Sequence, residues 1–251
     1  MKERLIPRRS LRMALLALAL ATGVCLAMIV GRTIFLKPLE IHGLRQRIEF
    51  PGFVWNLFLA WIPLVLALVI HGLSAHFKRL SIELAACGIV WILFFPNAPY
   101  IVTDLVHWSG HAPIPKWFDL LMIMSFAWTG MLLGYLSLYL MQELVRRWKG
   151  RAWSWFFTVL VLALSSFGIY LGRFRRLNSW DVVSHPMSLL SDVARSADFA
   201  RSPETLAFSV TFFSFSFFTY LTLFTLTHLH GLAEPAALKT VSASLPPEES
   251  T

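Results

Sequence analysis

The sequence predicts an all-α, polytopic membrane helix bundle of about six transmembrane helices, and three observations carry that prediction. Its 251 residues are 57% hydrophobic, 14% aromatic and only 14% charged, where a soluble globular domain has about 45–50% apolar and about 25% charged residues. Mean hydropathy is +0.63. The apolar residues gather into six long runs instead of spreading at amphipathic spacing. A soluble enzyme and a disordered chain are both excluded.

The first run covers residues 13–30 and follows Arg8, Arg9 and Arg12. Ala19-Leu20-Ala21 has the form of a signal cleavage site, but the apolar stretch continues to Val30, past the roughly 7–15 residues of a secretory h-region, so a retained anchor is expected. Val24 stands before Cys25, where a lipoprotein signal has a small residue. The second run, 53–72, has Trp55 and Trp61 near its start and His76, Lys78 and Arg79 past its end, an aromatic anchor opposite a basic one. The third, 80–95, is sixteen residues long and reaches only about 24 Å against a hydrocarbon core of about 30 Å. Its basic flank and Pro96 and Pro99 stop it at both ends, which favours a span over a re-entrant segment.

The fourth run, 117–141, is followed by Arg146, Arg147, Lys149 and Arg151, and the fifth, 153–172, by Arg173, Arg175 and Arg176. The sixth covers 206–229. No connection is long enough for a folded domain. Residues 1–231 therefore read as a single integral membrane domain, and the Ala/Pro/Ser/Glu-rich tail, 232–251, as disordered.

Lys and Arg number 22 against 14 Asp and Glu, a net charge of +8. They flank the apolar runs, where they anchor helices and meet anionic lipid headgroups, so the expected partners are membrane lipids and not nucleic acid; no soluble partner is identifiable. With the amino terminus inside, twelve of the 22 basic residues fall on inner segments. The clusters beside the first and fourth helices decide for cytoplasmic termini, while Arg173, Arg175 and Arg176 run against the rule. Cys25 and Cys87 lie in apolar runs, with no CxxC pair or zinc spacing, and read as packing residues.

Gly130 and Gly134, and again Gly168 and Gly172, form GxxxG pairs that let helix backbones approach closely. Thr211, Ser214, Thr222 and Thr225 form a hydroxyl stripe on the sixth helix; such hydroxyls can bond their own backbone carbonyls, so the stripe does not by itself make a pore.

If all six runs span, segments 31–52, 96–116 and 173–205 emerge on one face. Two polar stretches share it. In Phe95-Pro96-Asn97-Ala98-Pro99-Tyr100-Ile101-Val102-Thr103-Asp104-Leu105-Val106-His107, two prolines forbid continuation of the third helix and Asn97 suits an Asx-turn. The stretch from Tyr100 to His107 then reads as a short interfacial segment, with Asp104 and His107 on one face of a turn. In Tyr170-Leu171-Gly172-Arg173-Phe174-Arg175-Arg176-Leu177-Asn178-Ser179-Trp180-Asp181, arginines at the end of an apolar helix can reach a carboxylate or a lipid phosphate.

At these stretches, and at Ser125-Phe126-Ala127-Trp128-Thr129-Gly130, the chain resembles the bacterial multi-pass membrane proteins catalogued as domain of unknown function 1361. The resemblance covers the second to sixth helices. It implies a bacterial inner-membrane protein and supplies no catalytic residue and no cofactor.

The candidate polar site is Asn97, Tyr100, Asp104, His107, Arg173, Arg176, Asn178 and Asp181. Asp104, His107, His111, Asp181 and His185 supply enough ligands for a divalent ion if the loops meet, but the spacings match no recognised zinc signature, so no metal is assigned. Asp104 and His107 also suit an acid/base pair on a lipid-linked or small substrate held by Arg173 and Arg176. A third reading pairs Asp104 or Asp181 with Arg173 or Arg176 and locks the two loops together without a substrate. An ion-coupled pump is disfavoured because no charge lies mid-span, which leaves a small channel or facilitator as a further alternative. The cross-loop ion pair is the sharpest expectation, since Asp104 in an apolar stretch is costly to hold charged alone.

Overall fold

The computed structural model describes residues 8–40, 50–74, 82–107, 115–177, 181–198 and 202–243. Among these residues every element is helical: α1 Arg8–Glu40, α2 Phe50–Ser74, α3 Ile82–Phe94, α4 Asn97–Tyr100, a 3-10 segment Ile101–His107, α5 Lys116–Lys149, α6 Arg151–Phe174, α7 Asp181–Ser184, α8 Pro186–Ala197 and α9 Pro203–Ala243. Six helical stretches are long and apolar enough to cross a membrane: Arg9–Ile34, Gly52–Ser74, Ile82–Val106, Lys116–Lys149, Arg151–Phe174 and Pro203–Thr227. The chain is an integral, multi-pass membrane protein with an all-α fold.

Two helices outrun the apolar runs that announce them, α1 reaching Glu40 and α5 reaching Lys149. The extra turns are polar, and backbone bonding carries a helix on after its apolar face has ended. α9 likewise continues past Gly231 to Ala243; residues 244–251 of the expected tail lie outside the described residues.

α5 is the most buried span and packs against α1, α2, α4, the 3-10 segment and α6, while α9 leans on α6. Buried hydrogen bonds tie the bundle across helices, where lipid offers no alternative partner. The indole of fully buried Trp91 donates to Ser137 Oγ at 2.7 Å, and that hydroxyl donates to the Pro63 carbonyl at 2.9 Å, joining α3, α5 and α2. The Tyr135 hydroxyl donates to the Ser216 carbonyl at 3.1 Å across α5 and α9. Cys25 is a free thiol packed against Thr129, with Sγ 3.5 Å from Oγ1. On α9, Ser214, Thr222 and Thr225 each donate to the carbonyl four residues earlier at 2.8 Å. These hydroxyls are satisfied inside their own helix.

The prolines do not end the third apolar helical stretch, which runs over Ile82–Val106. After Phe95 and Pro96 the chain turns and resumes as α4 and the 3-10 segment, with Ala98, Ile101 and Asp104 buried against the bundle. The segment expected to be interfacial thus packs on the bundle and, together with α3, makes a stretch long enough to cross a membrane, where residues 80–95 alone are short. Asn97 forms no Asx-turn. That turn needs the backbone N–H two residues on, and Pro99 has none; the Asn97 amide instead donates to the Phe94 carbonyl at 3.0 Å, satisfying the broken end of α3.

Both GxxxG pairs serve this bent segment. A Cβ on Gly130 would stand 2.7 Å from the Ala98 carbonyl oxygen and from Ile101 Cδ1, and one on Gly134 would stand 3.1 Å from Ala98 Cβ. One on Gly168 would stand 3.2 Å from Pro96 Cγ, and one on Gly172 would stand 3.4 Å from Tyr100 Cε2. α5 and α6 thus present a glycine-lined slot, and residues 96–101 fill it. The two helices are joined by Gly150 alone, at φ 91 and ψ 179, a conformation open essentially to glycine.

Overpacking a tight contact costs about 1–3 kcal/mol, against roughly 1 kcal/mol that Ala gains over Gly in a helix. Gly130→Ala is therefore expected to melt below the parent protein in detergent, whereas Gly88→Ala, which meets open space, melts at or above it. Equal midpoints for the two would break the slot.

Candidate functional site

The 3-10 segment carries Asp104 into a buried position, 4% exposed. Its Oδ1 accepts from Arg173 Nη1 at 3.2 Å, and its Oδ2 accepts from Asn56 Nδ2 at 2.9 Å. Three elements meet there: α2 through Asn56, the third span through Asp104 and the end of α6 through Arg173. The cross-loop ion pair expected from the sequence is present between Arg173 and Asp104. A second ion pair, half-buried, ties α1 to α5 at the same end of the bundle. Arg32 is fully buried, and its Nη2 donates to Asp119 Oδ2 at 3.0 Å. Each charge is compensated where an isolated one would be expensive.

Beside the Asp104 cluster lies a cleft of about 290 Å³ between α2, the third span and α6. Leu59, Ile92, Leu93 and Ile169 line it together with the polar side chains of Asn56, Asn97 and Tyr100. The Tyr100 hydroxyl finds no hydrogen-bond partner among the described residues. α8 covers one side. Its apolar arc is shared: Leu189 and Val193 line the cleft, Met187 and Leu190 are exposed, and Ser188, Ser191, Asp192 and Arg195 occupy the opposite arc. The pattern is amphipathic, the kind that suits a membrane interface.

Residues 55–221 match the family described as protein of unknown function DUF1361, about two thirds of the chain. The chain belongs to this family. The three motifs that carry the resemblance, at 95–107, 125–130 and 170–181, all fall inside the matched stretch, and the family match spans the bent segment, the slot and the cleft together. No curated protein and no solved structure shows significant similarity to the chain.

Of the residues singled out in the sequence, Asp104 and Arg173 are brought together, and Asn97 and Tyr100 face the neighbouring cleft. Arg176 is exposed at φ 58 just past the end of α6, and the left-handed turn it makes lets the Leu177 N–H return to the Leu171 carbonyl at 3.3 Å. Asp181 opens α7 and accepts from the Ser184 hydroxyl at 3.4 Å. His107 ends the 3-10 segment, with its side chain outside the described residues, where Asn178 and His111 also lie. Among the described residues no three His, Cys, Asp or Glu side chains converge on a metal position.

Sequence reasoning missed Asn56 and Arg32. Asn56 and His71 are the strongly polar side chains of the 53–72 run, and a primary amide in an apolar span calls for a partner. Arg32 stands two residues past an apolar run, the position that drew attention to Arg173.

Removing one member of a buried ion pair strands the other, at about 3–5 kcal/mol. Arg173→Gln is expected to lower unfolding stability in detergent by about 3 kcal/mol, and Asp104→Asn added to it to restore at least about 1 kcal/mol. Strictly additive losses in this double-mutant cycle would refute the pairing.

Proposed function

We propose that the cleft beside Asp104 binds a small amphiphile or a lipid headgroup, in a bacterial inner-membrane protein whose residues 1–231 form a single integral domain with both ends of the chain in the cytoplasm. The observation that carries this reading is the cleft itself. Its volume of about 290 Å³ sits at the lower bound of ligand cavities, about 300–1,000 Å³, which suits a headgroup or a short amphiphile and not a whole lipid. Apolar walls with a few neutral polar groups fit a ligand that is half oil and half hydrogen-bonding head.

Asp104, with one contact on each oxygen from Arg173 and Asn56, supports a positioning role for this carboxylate beside the ligand. The ion pair then acts as the fixed back wall that orients Asn56. The cytoplasmic placement of the termini rests on the even number of spans and on the basic clusters beside the first and fourth helices.

Tyr100→Phe removes a hydroxyl with no partner in the described protein, and Val193→Trp fills the cleft from α8. With lysophosphatidylethanolamine as probe and native mass spectrometry of the full chain as readout, Tyr100→Phe should weaken occupancy about 3–10-fold and Val193→Trp should abolish it. Unchanged occupancy in both variants overturns the reading. For orientation, a reporter fused at Glu249 should be active only in the cytoplasm; periplasmic activity overturns the placement of the termini.

A further inference from the structure

The opposite end of the bundle holds a second cavity, about 190 Å³, between the last turns of α5, the first turn of α6 and α9. Its polar side is cationic. Glu143 accepts from Arg146 Nε and Nη2 at 2.7 and 2.8 Å and from Arg147 Nε at 3.4 Å, so one carboxylate already serves two guanidinium groups. Arg151, the first residue of α6, lines the same cavity, and its guanidinium finds no acceptor among the described residues. The positive end of the α6 dipole adds to the field there.

Gln142 is 3% exposed and also lines the cavity. Its Oε1 accepts from the Tyr220 hydroxyl, while its amide nitrogen has no acceptor among the described residues. That open donor sits on an otherwise buried side chain and borders the cavity beside an unneutralised guanidinium. The remaining wall is aromatic, with Tyr139, Trp155 and Phe224. Exposed Trp153 stands in the same first turn of α6, at the depth where tryptophan marks the headgroup region.

We propose that this cavity binds the phosphate headgroup of an anionic phospholipid. The phosphate oxygens accept from Arg151, from the Gln142 amide nitrogen and from the outer edge of Arg146, the edge Glu143 leaves open. Charge-assisted donors of this kind are the strong ones, and guanidinium geometry matches phosphate. The cavity is too small for a whole lipid; the acyl chains leave it along Trp155 and Phe224 into the hydrocarbon. Free phosphate shares the same oxygen chemistry but has no use for the aromatic wall. The proposal is independent of the cleft at the other end.

The test uses the full chain, delipidated in detergent and titrated with phosphatidylglycerol, phosphatidylcholine or inorganic phosphate, with bound ligand read by native mass spectrometry. Phosphatidylglycerol is expected to bind in preference to phosphatidylcholine. Arg151→Gln, at an exposed side chain with no contact to lose, should weaken phosphatidylglycerol about tenfold or more with an unchanged melting point. Lys149→Gln, an exposed cation at the same end that does not line the cavity, should leave it unchanged. Equal losses in the two variants would mean generic charge attraction and overturn the proposal, as would equal binding of the two lipids. Inorganic phosphate binding as tightly as phosphatidylglycerol would make this a free-anion site and overturn the lipid assignment.

Discussion

Everything at the Asp104 end of this bundle depends on the close fit between residues 96–101 and the glycine faces of α5 and α6. A helix broken by two prolines inside a membrane loses backbone hydrogen bonds that lipid cannot replace. It is tolerated where it is packed in protein or lines a cavity. Gly130, Gly134, Gly168 and Gly172 provide that packing by bringing two helix backbones to within van der Waals reach of the broken turn. With the turn seated, the direction of the chain beyond it is fixed, and that direction brings Asp104 to Arg173 and turns Asn97 and Tyr100 toward the cleft.

The ionic groups divide the molecule into two chemically different ends. At one end two carboxylates meet guanidinium groups from other helices, buried Asp104 with Arg173 and half-buried Asp119 with Arg32, and the polar side chains left to face the cleft are neutral. At the other end, Arg146 and Arg147 share Glu143 while Arg151 lines the same cavity without an acceptor among the described residues, and positive charge there is in excess. Pairs between helices hold elements in register; a surplus on one helix hairpin attracts anions. The first end is therefore built for shape and hydrogen bonding, and the second for charge.

Much of this was legible in the sequence because membrane burial is written in composition. The six spans follow from apolar runs and basic flanks, and the pairing of Asp104 with Arg173 follows from the expense of a lone charge. What the sequence concealed was mostly a matter of partners. Gly130 and Gly134 announce a close approach without saying to what, and the partner is a kinked segment some thirty residues earlier, not another straight helix. Asn97 next but one to a proline carries the information that no Asx-turn is possible, since Pro99 offers no N–H. The break at Pro96 reads locally as a helix end, and only the surrounding bundle carries the apolar helical stretch on to Val106. The amphipathic α8, folded from a connecting segment, needed its 3.6-residue periodicity counted over Pro186–Ala197.

The single-residue link at Gly150 bears on how the molecule is made. Ribosomal synthesis is vectorial, so residues 96–101 leave the exit tunnel well before the helices that will hold them. Until then the broken turn and the carboxylate of Asp104 have no partner from α5 or α6. A linker one residue long keeps the start of α6 beside the end of α5, so the two halves of the slot are never far apart once both helices exist. Lengthening that link would expose an unfinished span to the lipid for the time it takes the two helices to find each other.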